Sequence, residues 1–269
     1  MAKKYYFLSD FHLGAPDANR SLEREKKIVD VLEGIQSDVA ELFILGDVFD
    51  FWFEYKNAVP RGHVRLLGQL AKMSDAGIPI HWFTGNHDMW IFDYIPNELG
   101  VKLHRGPVER ELLGKHFLIG HGDGLGPGDH GYKLLKKVFA SRVSQWLFAR
   151  FHPNFGIGLA NFFSKSSRKA NREKDRIFLG KEEEWLAQFC EDMDAVQQRD
   201  YYIFGHRHLP MAINLSKGGV YINTGDWMGP CTYAVFDESG MRLKSHLTDA
   251  QFHGDAAAHL MSRESLPEQ

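Results

Sequence analysis

The sequence predicts an α/β fold in which strands and helices alternate and a helical segment interrupts the second half of the chain. Short apolar runs that end in polar, glycine-containing turns are typical of buried strands. Amphipathic helical stretches at residues 21–35 and 64–76 lie between such runs. The apolar runs of the first half are residues 5–8, 42–45, 80–83 and 117–119. This alternation indicates β-α-β units and an α/β sheet.

Residues 126–200 contain no convincing strand, and their apolar side chains recur at helical spacing. A second helical stretch is predicted around Glu182 to Met193. We therefore predict that 126–200 is a helical cap inserted into the scaffold. The apolar side chains of its first half are Leu134, Leu135, Val138, Phe139, Val143, Trp146, Leu147 and Phe151.

Strand patterns return after residue 200, so that residues 1–125 and 201–248 are expected to form one core. The predicted strands are residues 201–204, 220–223, 232–237 and 241–247. The last two are separated by a Glu238-Ser239-Gly240 turn, which predicts a hairpin. Residues 249–269 are polar or alanine-rich and are expected to form a flexible tail.

Composition and charge exclude several classes of protein. The chain has 269 residues, of which 43% are hydrophobic and 25% charged, as in ordinary globular proteins. A net charge of -3 argues against binding of nucleic acid by bulk electrostatics. Two cysteines, Cys190 and Cys231, are too few for a disulfide scaffold. With no signal peptide and no membrane span in the pattern, we expect a cytoplasmic protein.

Clusters of potential metal ligands follow predicted strands, where open α/β sheets place their ligand-binding loops. They are Asp10-Phe11-His12, Gly46-Asp47, Gly85-Asn86-His87-Asp88, Gly120-His121-Gly122-Asp123 and Gly205-His206-Arg207-His208. Each cluster alone is typical of ordinary turn chemistry. Together they supply carboxylate, amide and imidazole groups without thiolates, which suits catalytic Mn, Fe, Zn or Co better than structural zinc.

This succession of motifs resembles the calcineurin-like metallophosphoesterases. The resemblance implies a four-layer α/β/β/α sandwich with a helical cap, and hydrolysis by a water activated between two divalent metal ions, Mn above all. Carried over position by position, the ligands of one ion are Asp10, His12, Asp47 and His208. Those of the other are Asp47, Asn86, His121 and His206, so that Asp47 bridges the two ions.

The same resemblance implies a catalytic role for His87, which assists the leaving group or stabilises the phosphoryl oxygens, and for Asp50, which orients His87. A histidine beside a ligand can also serve only as a hydrogen-bonding support, because imidazole is both donor and acceptor. The sequence leaves both roles open.

A closer resemblance concerns the UDP-2,3-diacylglucosamine pyrophosphatases of lipid A biosynthesis in Gram-negative bacteria. It is carried by the runs 46–52, 121–123 with Gly131-Tyr132, and 167–174. The resemblance implies cleavage of a lipid-linked nucleotide to UMP and lipid X, and peripheral contact with the cytoplasmic face of the inner membrane. Its substrate-binding residues correspond to Tyr132, Ser167, Asn171 and Lys174.

Two features of the 126–200 region have a functional and a structural interpretation. Leu134, Val138, Phe139, Trp146, Leu147 and Phe151 line an acyl-chain groove in the first interpretation and pack against the sheet in the second. The six cations between 165 and 176 contact a phosphate or form a solvated helix face.

One position departs from the closer family, whose best-known branch has Arg where this chain has His87. The departure leaves open a phosphoesterase acting on another phosphodiester or nucleotide diphosphate. A nuclease would need an extended basic groove, against which the net charge argues, and no nucleic acid partner is expected. A non-catalytic adaptor of the same fold would not need the full set of ligand types. No protein partner is implied.

Overall fold

The computed structural model describes residues 3–127, 130–171, 177–178, 180–248 and 251–252. The first half of the chain contains β1 (Lys4–Leu8), α1 (Ala18–Ile35), β2 (Val39–Ile44), α2 (Val64–Asp75), β3 (Ile80–Phe83), α3 (Tyr94–Leu99), β4 (Lys102–His104), β5 (Val108–Leu112) and β6 (Lys115–Ile119). The second half contains α4 (His130–Ala140), α5 (Arg142–Phe148), α6 (Pro153–Asn171), α7 (Trp185–Val196), β7 (Tyr201–Phe204), β8 (Pro210–Asn214), β9 (Val220–Thr224), β10 (Thr232–Asp237), β11 (Gly240–Ser245) and β12 (Gln251–Phe252).

The strands form two sheets, each with a parallel centre. The seven-stranded sheet has the order β12-β11-β10-β1-β2-β3-β4, and β1 to β4 run parallel. The five-stranded sheet has the order β5-β6-β7-β9-β8, and β6, β7 and β9 run parallel. The carboxyl ends of the parallel strands carry the loops in which the ligand clusters lie.

Three apolar clusters hold the layers together. In β1, Tyr6 and Leu8 pack with helix residues such as Ile28 and Leu70, whereas Phe7 packs with Phe117 of the other sheet. This alternation follows from the two-residue period of a strand. A third cluster packs α7 against the outer face of the second sheet. The predicted α/β/β/α sandwich is therefore confirmed.

The structure adds elements that the sequence patterns did not predict, namely α3, β4, β5, β8 and β12. The segment Val108–Leu112 has three consecutive charged residues at its centre, so it lacks the apolar run that identifies a buried strand. The helix predicted from Glu182 begins at Trp185 because Lys181–Glu183 form a 3₁₀ turn. Gln251 and Phe252 pair with β11, and the rest of the predicted tail lies outside the described residues.

Within the region predicted as a cap, α7 packs against the second sheet, and the remaining helices are α4, α5 and α6. They contact the core through Phe148, whose ring centroid is 4.7 Å from those of Phe53 and Trp90. The indole nitrogen of Trp90 also donates a hydrogen bond to the Phe139 carbonyl at 2.8 Å. The six side chains considered for an acyl-chain groove are 40% to 65% exposed, and one of them, Phe139, also contacts the core, with its ring centroid 5.8 Å from that of Trp90.

Candidate metal centre

The carboxyl ends of strands from both sheets bring the predicted ligands into one site. The first sheet supplies residues after β1, β2 and β3, and the second sheet supplies residues after β6 and β7. The side chains are Asp10, His12, Asp47, Asn86, His121, His206 and His208. All seven positions singled out in the sequence are therefore close together, although they come from segments far apart in the chain.

Asp10, His12, Asp47 and His208 form the first ligand group, in which one ligand atom of each lies within 4.8 Å of the others. The Nε2 atom of His12 is 3.8 Å from Asp10 Oδ1 and 3.7 Å from Asp47 Oδ2. The Nε2 atom of His208 is 3.6 Å from Asp10 Oδ1. These spacings are longer than hydrogen bonds and leave the atoms arranged around a common point.

Asp47, His121 and His206 form the second group. His121 Nε2 lies 3.4 Å from Asp47 Oδ2 and 3.2 Å from the amide oxygen of Asn86. Asp47 therefore belongs to both groups.

Two carboxylate oxygens in this site need a cation. Asp10 Oδ1 and Asp47 Oδ2 are buried and, among the described residues, have no hydrogen-bond donor. Buried anionic oxygens without partners cost several kcal/mol, on the order of 2–7 for a polar group and more for a charge. Hard oxygens beside imidazole nitrogens are the donor set of catalytic divalent metals, so the residues fit such ions.

The backbone around the site is locally strained. Asp10, His12, Asp47, His206 and His208 have positive φ values between 44° and 67°. Such values are uncommon outside glycine and concentrate at functional sites, where surrounding structure enforces them. The conformation turns each side chain sharply out of the strand that precedes it.

Two glycines allow the loops to approach each other. A Cβ atom at Gly85 would overlap the Asp47 carboxylate, and one at Gly205 would overlap the Asp10 carboxylate. Glycine is therefore required at these two positions because any larger residue would collide with the side chain of a ligand.

Hydrogen bonds behind the ligands fix the imidazole orientations. His121 Nδ1 donates to the Leu45 carbonyl at 2.7 Å, which leaves its Nε2 lone pair for a metal. His208 Nδ1 lies 3.2 Å from Asp226 Oδ2. The sequence analysis did not select Asp226, because a Gly-Asp pair is common in turns. Only its position after β9, in line with the other ligand loops, sets it apart.

Similarity to known proteins identifies the family. The sequence model of the calcineurin-like phosphoesterases matches residues 3–210. The chain belongs to the calcineurin-like phosphoesterase family. A protein of Porphyromonas gingivalis named UDP-2,3-diacylglucosamine hydrolase is 35% identical, with 91% of this chain and 98% of that protein covered. A protein of Shewanella sp. strain MR-4 with the same name is 26% identical, with coverages of 91% and 98%.

Among solved structures, a phosphoesterase from E. coli is similar, with 15% identity, a TM-score of 0.48, and coverage of 93% of this chain and 97% of that one. The family match and the names of the relatives make this phosphoesterase a hydrolase, and its buried ligand groups fit the metal dependence of the family.

Electrostatics in the phosphoesterase site keep the Asp10 and Asp47 carboxylates ionised and act in opposite directions on different imidazoles. Burial lowers the pKa of His206 to about 4. Burial acts to raise the pKa of Asp10, but the nearby imidazoles of His12 and His208 outweigh it and lower the pKa to about 2. Burial also opposes protonation of His121, yet the Asp47 carboxylate raises its pKa to about 10. A metal ion at this position must therefore displace a proton.

His87 lies beside the first ligand group, with its ring centroid 4.8 Å from that of His12. Asp50 contacts His87 mainly through the backbone, because the Asp50 carbonyl is 2.9 Å from His87 Nδ1 and the carboxylate oxygen is 4.0 Å away. The Asp50 carboxylate lies closer to His12, at 3.6 Å from Nδ1. Burial lowers the pKa of His87 to about 4.

The predicted substrate-binding residues are only partly within the described structure. Tyr132 on α4 donates a hydrogen bond to Asp123 at 2.7 Å, two residues beyond His121. Ser167 and Asn171 belong to α6, but their side chains, like the whole of Lys174, lie outside the described residues. A cavity of about 150 Å³ adjoins the ligands and is lined by His121, Asp123, Arg105 and Lys136, among others.

Proposed function

We propose that this phosphoesterase hydrolyses the pyrophosphate bond of UDP-2,3-diacylglucosamine and releases UMP and lipid X, which is 2,3-diacylglucosamine 1-phosphate. The observation that carries the proposal is the similarity, over 98% of its length, to a hydrolase named for this substrate. A buried metal-type ligand set beside a cap with exposed apolar side chains agrees with a substrate that has both a diphosphate and acyl chains.

We infer two bound divalent cations, with Asp10, His12, Asp47 and His208 as ligands of one. Asp47, Asn86, His121 and His206 would hold the other, so that Asp47 bridges both. Mn²⁺ is our preferred ion because three carboxylate or amide ligands accompany the imidazoles. Such ions supply an activated water and polarise the phosphoryl oxygens.

The residues around these ligands have separate tasks. Asp226 holds His208 in one orientation, and the Leu45 carbonyl does so for His121. The backbone N–H of His87 donates to Asp47 Oδ1 at 2.9 Å, and we propose that its imidazole meets a phosphoryl or leaving-group oxygen. Asp50 acts on His87 through its carbonyl oxygen. We propose these two as the residues that assist the chemistry beside the metal ligands.

We assign substrate binding to Tyr132, Ser167, Asn171 and Lys174, and acyl-chain contact to the exposed apolar side chains of the cap. Aromatic and aliphatic groups this exposed are costly in water unless a partner covers them. We propose that lipid is this partner, as the substrate's acyl chains and as peripheral contact with the cytoplasmic face of the inner membrane. Within the described residues, no helix is both long enough and apolar enough to span a membrane.

The test is to strip the protein of metal, add Mn²⁺, and follow UDP-2,3-diacylglucosamine by mass spectrometry beside a simple phosphodiester. Metal-dependent appearance of UMP and lipid X is expected. Cleavage of the simple diester alone would support the metal centre but contradict the proposed lipid substrate. No cleavage of either compound, despite bound metal, would support the adaptor alternative.

A second candidate is a phosphodiesterase or nucleotide diphosphatase of different specificity. The observation that favours it is His87 itself, because the closer family has Arg at this position and a neutral imidazole does not replace a guanidinium. His87→Arg separates the two candidates. Faster turnover of the diacylated nucleotide in the variant would indicate that the native substrate differs.

A further inference from the structure

Helix α6 brings one side chain of the cap into contact with the metal centre. The hydroxyl of Ser164 donates a hydrogen bond to the Asp50 carbonyl at 3.0 Å and lies 3.0 Å from His87 Nδ1. His87 Nδ1 is itself 2.9 Å from the same carbonyl. The three groups therefore form a closed triangle that joins the cap, the loop after β2 and the loop after β3.

The chemistry of the triangle fixes the proton on His87. A carbonyl oxygen only accepts, so the short contact with Asp50 requires a proton on Nδ1. The Ser164 hydroxyl gives its proton to Asp50 and can accept from the same Nδ1–H. Neutral His87 consequently carries its free lone pair on Nε2. Two acceptors on the Nδ1 edge also oppose a flip of the ring, because a flip would place carbon against the carbonyl.

Ser164 differs from its neighbours on the helix. Phe162 and Phe163 are exposed, as is Ser166, whereas Ser164 is half-buried. The helix therefore turns the small polar side chain of Ser164 toward His87, whereas the residues on either side of it are exposed. Packing of an amphipathic helix would not by itself favour a serine at this position, because burial of a hydroxyl stabilises the protein little unless the hydroxyl is hydrogen-bonded.

We propose that Ser164 is a positioning residue that holds the ring orientation and the Nδ1–H tautomer of His87, and so couples the cap helix to the metal centre. The proposal rests on the proposed phosphoesterase function and on a role for His87 in it. A cap that moves when lipid binds would act on the reaction through this contact.

A double-mutant cycle tests the coupling, with the Mn²⁺-loaded full-length protein and whichever phosphoester the wild type hydrolyses. We expect Ser164→Ala to lower kcat about three- to tenfold, the size of one hydrogen bond, with KM little changed. Ser164→Thr should restore most of the rate, and Ser166→Ala on the exposed side of α6 should have no effect. In a His87→Ala background, Ser164→Ala should add no further loss.

A second measurement does not depend on turnover. In the Zn²⁺-loaded protein, ¹⁵N-histidine spectra should show the Nδ1–H tautomer for His87, assigned by its loss in His87→Gln, and a mixture of tautomers in Ser164→Ala. An equal loss of rate in both backgrounds, or an unchanged tautomer in Ser164→Ala, would overturn the proposal. A wild type that hydrolyses no phosphoester would instead contradict the proposed function, whatever the spectra show.

Discussion

Two groups of histidines and carboxylates in the described structure, one buried and one half-buried, differ in how their charges are balanced. In the metal centre, one oxygen of each of two carboxylates, Asp10 Oδ1 and Asp47 Oδ2, has no hydrogen-bond donor among the described residues. The other group, which we call the inter-sheet cluster, consists of Glu41, His81, His104 and Arg110 and joins the two sheets. The residue types are similar, apart from the arginine.

In the inter-sheet cluster the protein supplies its own cation. Arg110 donates from its Nη2 to both Glu41 oxygens at 3.0 and 2.8 Å, which places a permanent positive charge against the carboxylate. His81 lies between Glu41 and His104, 3.0 Å from each. The charged groups that lower the pKa of Asp47 against the effect of burial are instead imidazoles, chiefly those of His121 and His87. The Asp47 oxygen that has no donor can therefore take a metal ion, whereas Arg110 already occupies the Glu41 carboxylate.

The largest effect that this contrast predicts belongs to Asp47→Ala. Loss of the ligand shared by both groups should lower kcat at least about 10³-fold, because each ion loses a ligand. Metal content measured by mass spectrometry should fall as well. The unfolding free energy of the metal-free protein should change little, because the variant removes a buried oxygen without a donor and also the acceptor of the His87 backbone N–H. A variant that stays active would exclude Asp47 from the site.

For the metal centre, the convergence of the ligand clusters can be predicted from the sequence. The ligand clusters follow apolar runs, and the runs at 80–83, 201–204 and 232–237 coincide with β3, β7 and β10. Because carboxyl ends of parallel strands meet at one edge, the clusters were expected to converge. The ligand roles themselves stay predictions that the metal experiments test.

The remaining contacts depend on tertiary packing that no local pattern encodes. Arg110 and Glu41 are separated by 69 residues and lie in different sheets, and β5 itself was not predicted. Ser164 is one serine among several on a helix, and only the helix position turns it toward His87. The apolar spacing of the cap likewise predicts a helix but not whether its apolar face is covered by protein.

A smaller effect, on stability alone, is expected for Glu41→Gln. The variant keeps the shape of the side chain but removes the charge that faces Arg110 and His81, so we expect a loss of about 1–2 kcal/mol in the free energy of unfolding. Urea denaturation measures this loss. The kcat and the metal content should equal those of the wild type. A fall in kcat without a change in stability would contradict the separation of the two groups.

The smallest effect concerns pH and His104 at the end of β4. Burial, reinforced by His81 and other neighbouring positive groups, lowers the pKa of His104 to about 4, below its ordinary value of 6.5. The unfolded chain therefore binds a proton first as the pH falls, and native stability decreases from about pH 6.5 down to about pH 4. In His104→Gln this contribution disappears, so the free energy of unfolding should decline less steeply over that window than in the wild type.

Urea denaturation of both metal-free proteins between pH 7.5 and pH 4 measures the difference. Because both proteins are metal-free, the contribution of the metal-centre histidines cancels. Parallel pH curves for the two proteins would show that His104 does not titrate with folding and that the inter-sheet cluster is held by Arg110 and Glu41 alone.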